Sequence, residues 1–193
     1  MVSLGMIIHQ LETSRLVLRQ WHKKDWAPFA QINADPEVMR YFPAPLTPSE
    51  SNDMADKIYS LLNQRGWGFW AIELKENHTF IGFTGLHTPS ESLPFSPCIE
   101  IGWRLDKHYW NNGYATEAAQ VVLEFAFTEL ELAEIFAFTT VGNVASRRVM
   151  EKLGMKNTQK NFAHPDIPID NKLSEHVLYR LSKRQWKNQF DKN

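Results

Sequence analysis

Residues 110–116 read Trp110-Asn111-Asn112-Gly113-Tyr114-Ala115-Thr116 and join a stretch of alternating apolar residues to a stretch with helical periodicity. Asn and Gly favour a tight turn, and a helix that begins directly after a turn leaves its first backbone N–H groups without partners inside the helix. These groups lie at the positive end of the helix dipole and suit a phosphate or pyrophosphate. The turn is therefore either an anion-binding site or a plain connection between a strand and a helix.

The residues on either side of this turn have the patterns of a strand and a helix. Residues 98–106 alternate with a period of two, which is typical of a half-buried strand. One face is apolar and the other is more polar, with Ile99, Ile101, Trp103 and Leu105 on the first and Glu100, Gly102, Arg104 and Asp106 on the second. After the turn, apolar residues recur at helical spacing at Ala118, Val121, Val122 and Phe125.

Two common nucleotide-binding fingerprints are missing from the sequence. It contains no G-x-x-x-x-G-K-[ST] motif, and no G-x-G-x-x-G motif follows a predicted strand. This argues against kinases, P-loop NTPases and dinucleotide-binding enzymes.

The wider pattern does resemble a known superfamily. Three separated blocks resemble the acetyl-CoA-binding core of the GCN5-related N-acetyltransferases (GNAT): residues 99–103, 109–118 and 143–155. Within it, residues 11–19, 33–38 and 176–180 resemble the branch of the ribosomal-protein N-terminal (RimJ/RimL-type) acetyltransferases. One position departs from the pattern, because the cofactor loop of the superfamily often opens with Gln or Arg and this chain has Trp110.

The resemblance implies a fold class and a reaction. The expected fold is a single α/β (α+β) domain over residues 1–193. Its sheet is mixed, mostly antiparallel and twisted, with six to seven strands, four to five helices and a splayed strand pair that holds acyl-CoA. The expected cofactor is acetyl-CoA without a metal. The expected acceptor is a primary amine, either a protein N-terminal α-amine or a small amine such as a polyamine, amino sugar or amino acid. A non-catalytic acyl-CoA-binding module is the alternative.

Residue chemistry and the family resemblance together indicate candidate catalytic residues. Glu100 lies on the more polar face of a central strand, where burial would raise its pKa and let it act as a general base, directly or through water. A structural ion pair with Arg104 is the alternative. The resemblance implies that Ser146 protonates the leaving thiolate, with Tyr179 as the other possible donor. Ser146 also fits position N3 of a short helix that Asn143 caps.

The candidate cofactor contacts come from three places. The resemblance implies that the pantetheine arm pairs with the backbone of Ile101, Trp103 and Leu105. The phosphates would bind the turn, at Asn111, Asn112, Gly113, Tyr114, Ala115 and Thr116. Asn143 would contact the cofactor arm, and Arg148 would reach the 3′-phosphate of CoA or simply lie on a solvated helix face. Three loops with prolines, residues 41–49, 87–97 and 162–173, would surround the acceptor, with His164 as a candidate contact.

Composition fits a globular protein without nucleic-acid or membrane partners. The 193 residues are 43% hydrophobic and carry a formal net charge of −1, which gives no bulk attraction to nucleic acid or anionic lipid. Cys98 is the only cysteine, and no leader or membrane-spanning pattern is recognised, so a cytoplasmic location is expected. Seven histidines lack metal-ligand spacing. The oligomeric state, monomer or dimer, stays open.

The remaining pattern predicts alternating strands and helices. Strands are expected at 13–20, 68–74, 79–86, 134–140 and 175–181. Helices are expected at 23–34, 115–130, 144–152 and 181–190. A further helix should begin at the capping box Thr47-Pro48-Ser49-Glu50 and run to about Arg65, with Gly66 as its stop.

Overall fold

A computed structural model describes residues 7–189 of the chain. Five α-helices and nine strands lie in this range. The helices are α1 Trp26–Ala34, α2 Pro48–Arg65, α3 Tyr114–Thr128, α4 Val144–Lys152 and α5 Lys183–Lys187. The strands are β1 Leu11–Glu12, β2 Leu16–Arg19, β3 Phe69–Leu74, β4 Phe80–His87, β5 Glu100–Leu105, β6 Glu134–Thr140, β7 Lys156–Asn157, β8 Phe162–Ala163 and β9 Glu175–Ser182. Short 3-10 turns occupy Lys23–Asp25 and Lys107–Tyr109.

Contacts divide the described chain into two compact units. The first unit comprises residues 7–86 and 102–121, and the second comprises residues 87–101 and 122–189. The boundary between residues 101 and 102 falls inside β5, and the boundary between residues 121 and 122 falls inside α3. The expectation of a single domain stays a prediction.

The first unit is built on consecutive antiparallel strands in the order β1-β2-β3-β4, followed by β5. Helices α1 and α2 pack against one another, and α2 buries the stripe Ala55, Ile58 and Leu62. Trp21 anchors the core, because its ring lies 4.9 Å from that of Phe29 and its indole N–H donates to the carbonyl of Phe69.

The second unit centres on the antiparallel pair β6 and β9. Seven residue pairs join these strands, and β9 also pairs with β7 and β8. Strand β6 runs parallel to β5, and their register consists of one pair among the described residues, Glu100 opposite Phe136. The core contains Leu123, Phe127, Ile135, Ala137 and Leu181. Trp186 of α5 packs on Phe127 with the ring centroids 5.3 Å apart.

Most predicted elements are found, and the differences have local causes. The predicted strands correspond to the six strands of four or more residues, whereas β1, β7 and β8 have two residues each and carry no readable periodicity. The capping box of α2 and the left-handed stop at Gly66 are both present. The last helix is shorter than expected, and Phe190 lies outside the described residues. The prediction of a half-buried β5 is wrong at Arg104, which is 9% exposed on the more polar face.

The structure contains no helix, within residues 7–189, that is long and apolar enough to cross a membrane.

Strand β4 requires a glycine at residue 82. Gly82 has a φ of 136°, and a Cβ there would overlap the carbonyl oxygen of Arg104 in β5. We expect Gly82→Ala to lower the free energy of unfolding by about 3 kcal/mol, because backbone atoms must move. Gly68→Ala is the matched control, since its Cβ would lie 3.4 Å from Leu62 at ordinary contact distance. Urea unfolding measures both changes, and equal losses would contradict the prediction.

Candidate active site

The predicted phosphate turn has the backbone of an anion-binding loop. Asn111 and Gly113 have φ values of 61° and 81°, so left-handed residues flank Asn112 just before α3 begins at Tyr114. Such alternation turns successive N–H groups toward one side, and the start of a helix adds the positive end of its dipole. The φ of 81° favours glycine at residue 113, although a Cβ there would have room and would meet only Arg15, at 3.6 Å. The turn therefore has the backbone geometry that the predicted phosphate site requires, and the site itself stays a prediction.

An ion pair that the sequence reasoning missed lies beside this turn. Arg15 Nε donates to Glu117 Oε2 at 2.7 Å, and Arg15 Nη2 donates to the carbonyl of Asn112 at 3.1 Å. Burial opposes the charge of Glu117, but hydrogen bonds from Thr13 and Arg15 hold the pKa of its carboxyl below the usual range. Arg15 thus offsets a negative charge in the first turn of α3, which would otherwise repel a phosphate. The two residues are far apart in sequence, so no local pattern connects them.

The backbone N–H and C=O groups of β5 face two opposite edges of the strand. The N–H of Asp106 donates to Ile81, and the carbonyl of Gly102 accepts from the Thr84 hydroxyl, so these residues face β4. Because backbone groups alternate along a strand, Trp103 and Leu105 face the opposite edge. The indole N–H of Trp110 donates to the Leu105 carbonyl at 2.9 Å. Trp110, which departs from the family pattern, therefore fixes the end of β5.

Glu100 begins β5 and is partly buried in the second unit. Its removal from water raises the pKa of its carboxyl to about 8. Its neighbour Cys98 is also partly buried, and burial together with the Glu100 charge raises the pKa of the thiol to about 11. Ion pairs among the described residues include neither Glu100 nor Arg104. Glu100 is therefore a carboxyl group suited to exchange a proton near neutral pH.

Helix α4 presents the second predicted group of residues. The side-chain oxygen of Asn143 accepts from the N–H of Ser146 at 3.2 Å, which confirms the predicted cap. The amide nitrogen of Asn143 donates to Thr139 at 2.9 Å, so the side chain is held at both ends. The Ser146 hydroxyl makes no hydrogen bond within residues 7–189. Tyr179 differs, because it is 2% exposed and its hydroxyl donates to Glu151 at 2.9 Å.

Two arginines follow Ser146 and have different surroundings. Arg147 donates to the carbonyl of Val141 at 3.1 Å, whereas Arg148 is exposed on α4. The role predicted for Arg148 at a phosphate of CoA stays a prediction.

An aromatic cluster, which the sequence reasoning described only in part, surrounds His164 in the second unit. The imidazole centroids of His164 and His176 lie 5.0 Å apart. Phe138 and Phe162 pack against both imidazoles, and Phe95 packs in turn on Phe162 with the ring centroids 5.0 Å apart. Burial lowers the pKa of both histidines, so they are neutral at physiological pH. His164 also lines a surface pocket formed by residues 163–169.

Metal-binding geometry is not found in the part of the chain that the structure describes. No group of three or more His, Cys, Asp or Glu side chains in residues 7–189 is placed to hold a metal ion.

Comparison with known proteins identifies the family. The family model for the acetyltransferase (GNAT) domain matches residues 15–156, which is more than half of the chain. This chain belongs to the GNAT acetyltransferases. It is 30% identical over 185 residues to the uncharacterized N-acetyltransferase YnaD of Bacillus subtilis (strain 168), with 91% of this chain and 98% of that protein covered. The predicted enzyme class, an N-acetyltransferase, is confirmed.

Solved structures confirm the predicted fold class. The crystal structure of a GNAT-family acetyltransferase from Bacillus anthracis matches with a TM-score of 0.76 and 28% identity, and covers 91% of this chain and 99% of that one. The narrower ribosomal branch stays a prediction. The ribosomal L7/L12 α-N-protein acetyltransferase RimL, solved with coenzyme A, has a TM-score of 0.72 at 14% identity over 90% of this chain and 98% of that one, which shows the fold alone.

The raised pKa of Glu100 makes stability depend on pH. Between the ordinary value of 4.5 and about 8, the unfolded chain has lost this proton while the folded protein keeps it. The contribution of Glu100 therefore becomes more unfavourable as pH rises through this window. We expect the Glu100→Gln variant to gain stability relative to the wild type between about pH 5 and pH 8. Urea unfolding at each pH measures the difference, and a difference that is constant with pH would contradict the prediction.

Proposed function

We propose that this chain transfers the acetyl group of acetyl-CoA to a primary amine by direct attack in a ternary complex. The observation that carries the proposal is the turn at residues 110–116, whose two left-handed residues, Asn111 and Gly113, lie directly before the start of α3. A pyrophosphate is the part of acetyl-CoA that such a turn binds. The neutralised carboxylate of Glu117 supports this assignment.

The rest of the cofactor would bind along β5 and α4. Trp103 and the N–H of Leu105 face the edge away from β4, where an extended pantetheine arm can add hydrogen bonds as a further strand would. Ile101 would contribute in the same way next to the single residue pair that joins β5 to β6. Asn143 would contact the arm, and the exposed Arg148 would reach the 3′-phosphate.

Glu100 would act as the general base. An acceptor amine must lose a proton to become a nucleophile, and a carboxylate with a pKa of about 8 can accept it near physiological pH. The amine nitrogen forms a bond to the thioester carbon as this proton passes to Glu100, directly or through water. The carbon–sulfur bond then breaks and releases the thiolate of CoA.

Direct transfer is supported by the state of the cysteine. A thiol with a pKa of about 11 stays protonated at neutral pH, so Cys98 is a poor nucleophile and no acetyl-enzyme is expected on it. The leaving thiolate needs a proton, and Ser146 is the better donor of the two candidates. Tyr179 is buried and its hydroxyl donates a hydrogen bond to Glu151, whereas the Ser146 hydroxyl makes no hydrogen bond within the described residues.

The acceptor class is a primary amine. A protein N-terminal α-amine, as in the ribosomal branch, and a small amine both fit the chemistry described so far. A module that binds acyl-CoA without turnover is less well supported, because it has no use for a carboxyl with a raised pKa. A formal net charge of −1 gives no bulk attraction to nucleic acid or anionic membranes, and a cytoplasmic location stays part of the proposal.

Binding of acetyl-CoA is tested by a thermal shift. At about a hundred times its Kd, a ligand adds ~2.7 kcal/mol, which for a chain of this size raises Tm by roughly 5–10 °C. We expect this shift with acetyl-CoA, and none with ATP. Arg15→Ala should reduce it by exposing the Glu117 charge, and Arg15→Ala combined with Glu117→Gln should restore it. The proposal fails if the wild type shows no shift.

Turnover is tested by following CoA release with primary-amine acceptors. We expect Glu100→Gln to lower kcat at least tenfold, because general-base assistance is worth ~10²–10⁴ in rate, while acetyl-CoA binding stays unchanged. The rate of the wild type should rise with pH and level off above about pH 8, where Glu100 is ionised. Equal turnover in the variant would remove Glu100 from the mechanism.

A further inference from the structure

Arg104 carries a buried positive charge without a negative partner. The residue is 9% exposed, and its Nη1 donates to the side-chain oxygen of Asn33 at 2.6 Å. Its Nε is buried and makes no hydrogen bond with the described residues. No carboxylate of residues 7–189 forms an ion pair with it. A charge in this position is expensive unless something pairs with it.

The same unit shows how this fold treats a structural arginine. Arg19 is buried to a similar degree, at 7% exposed, and its guanidinium is fully paired. It bonds Asp25 at 2.8 Å and Glu73 at 2.8 Å. The two buried arginines therefore differ in one respect, because Arg19 has two carboxylates and Arg104 has none among the described residues.

The surroundings of Arg104 hold its guanidinium in place. Asn33, which is fully buried, accepts from Arg104 and donates to Ser51 at 2.9 Å. The carbonyl of Asn33 also accepts from the N–H of Leu46, which ties the loop before α2 to this point. Phe42 of that loop lies over the guanidinium, 4.2 Å from ring centroid to Cζ, and is itself 39% exposed. The face of the guanidinium is thus covered, while its edge keeps donors for a planar ligand.

The Arg104 side chain is positively charged at neutral pH. Burial lowers the pKa of the guanidinium to about 10, which still leaves it protonated at neutral pH. The nearby cation Lys107 is already paired with Asp35 at 2.7 Å. One unpaired positive charge on a planar guanidinium fits a ligand with one negative charge shared by two coplanar oxygens, as in a carboxylate.

We propose that Arg104 binds the carboxylate of the acceptor, and that the substrate is a small amino carboxylate of the amino-acid class. The inference rests on the proposed function. The loop that covers Arg104, residues 41–49, is one of the three expected to surround the acceptor. Phe42 covers the guanidinium that would bind the carboxylate, and Asn33 is a positioning residue for that guanidinium.

The first experiment compares acids with their amides. CoA release is measured with L-amino acids as acceptors, including lysine and phenylalanine, and with the C-terminal amide of each. We expect wild-type kcat/KM to be about tenfold to hundredfold higher for the acid, since hydrogen bonds to charged groups are that strong. Arg104→Gln should bring the ratio near one, because it removes the guanidinium that distinguishes the acid from the amide. Arg40→Gln, which removes an exposed arginine two residues from Phe42, should keep the wild-type ratio.

The outcomes separate this inference from the proposed function. Absence of acetyl-CoA binding contradicts the proposed function. Acetyl-CoA-dependent turnover that is equally fast with acids and amides, or that is found only with neutral amines or peptide N-termini, overturns the role of Arg104 and leaves the acetyltransferase standing.

The second experiment asks whether Arg104 is only structural. We expect Arg104→Gln to change Tm by less than about 3 °C, because the lost hydrogen bond is offset by removal of an unpaired charge. Arg19→Gln is the matched control and should lower Tm by more than about 8 °C, since it leaves two carboxylates unpaired. Equal losses of Tm in the two variants would show that Arg104 stabilises the fold and would overturn the inference.

Discussion

The hydrogen bonds that join β5 to β4 determine which side chains of β5 face the interior and which backbone groups face its other edge. Asp106 and Gly102 face β4, and the close approach of Gly82 to Arg104 leaves no freedom to slide by one residue. A shift of one residue would exchange the two faces of the strand. The register therefore decides that Arg104 points into the packed interior and that the Trp103 backbone faces the other edge. Backbone geometry thus fixes which side chains and which backbone groups β5 presents on each side.

Local rules explain which parts of the fold the sequence could predict. Strand β6 and helix α4 have the predicted bounds, because alternation, an Asn cap and a glycine stop are all readable within about a dozen residues. The turn at residues 110–116 was readable for the same reason. The two-residue strands were not, since pairing partners alone define them. Nor was the contact of Arg15 with Glu117, which joins residues 102 positions apart.

Arg104 shows the limit of pattern reading more clearly. Its position on the more polar face of an alternating strand suggested a residue close to solvent or paired with Glu100. Whether an arginine is buried depends on what covers the strand, and here Phe42 and Asn33, from distant parts of the chain, do so. Tertiary packing also decides whether a buried charge is neutralised. Arg19 and Arg104 have the same side chain and similar burial, yet only one has carboxylates beside it.

The difference between local patterns and tertiary packing suggests why the acetyl donor is easier to infer than the acceptor amine. Acetyl-CoA would be held largely by backbone groups of β5 and of the turn before α3, and backbone geometry survives extensive substitution. The fold is accordingly retained at 28% identity with a TM-score of 0.76. Acceptor recognition, in our proposal, depends instead on individual side chains such as Arg104 and Phe42. A buried charge without a partner lowers stability, and binding of a carboxylate would offset that loss. For this chain, that argument makes the side chain of Arg104, and not the family pattern, the best guide to the substrate.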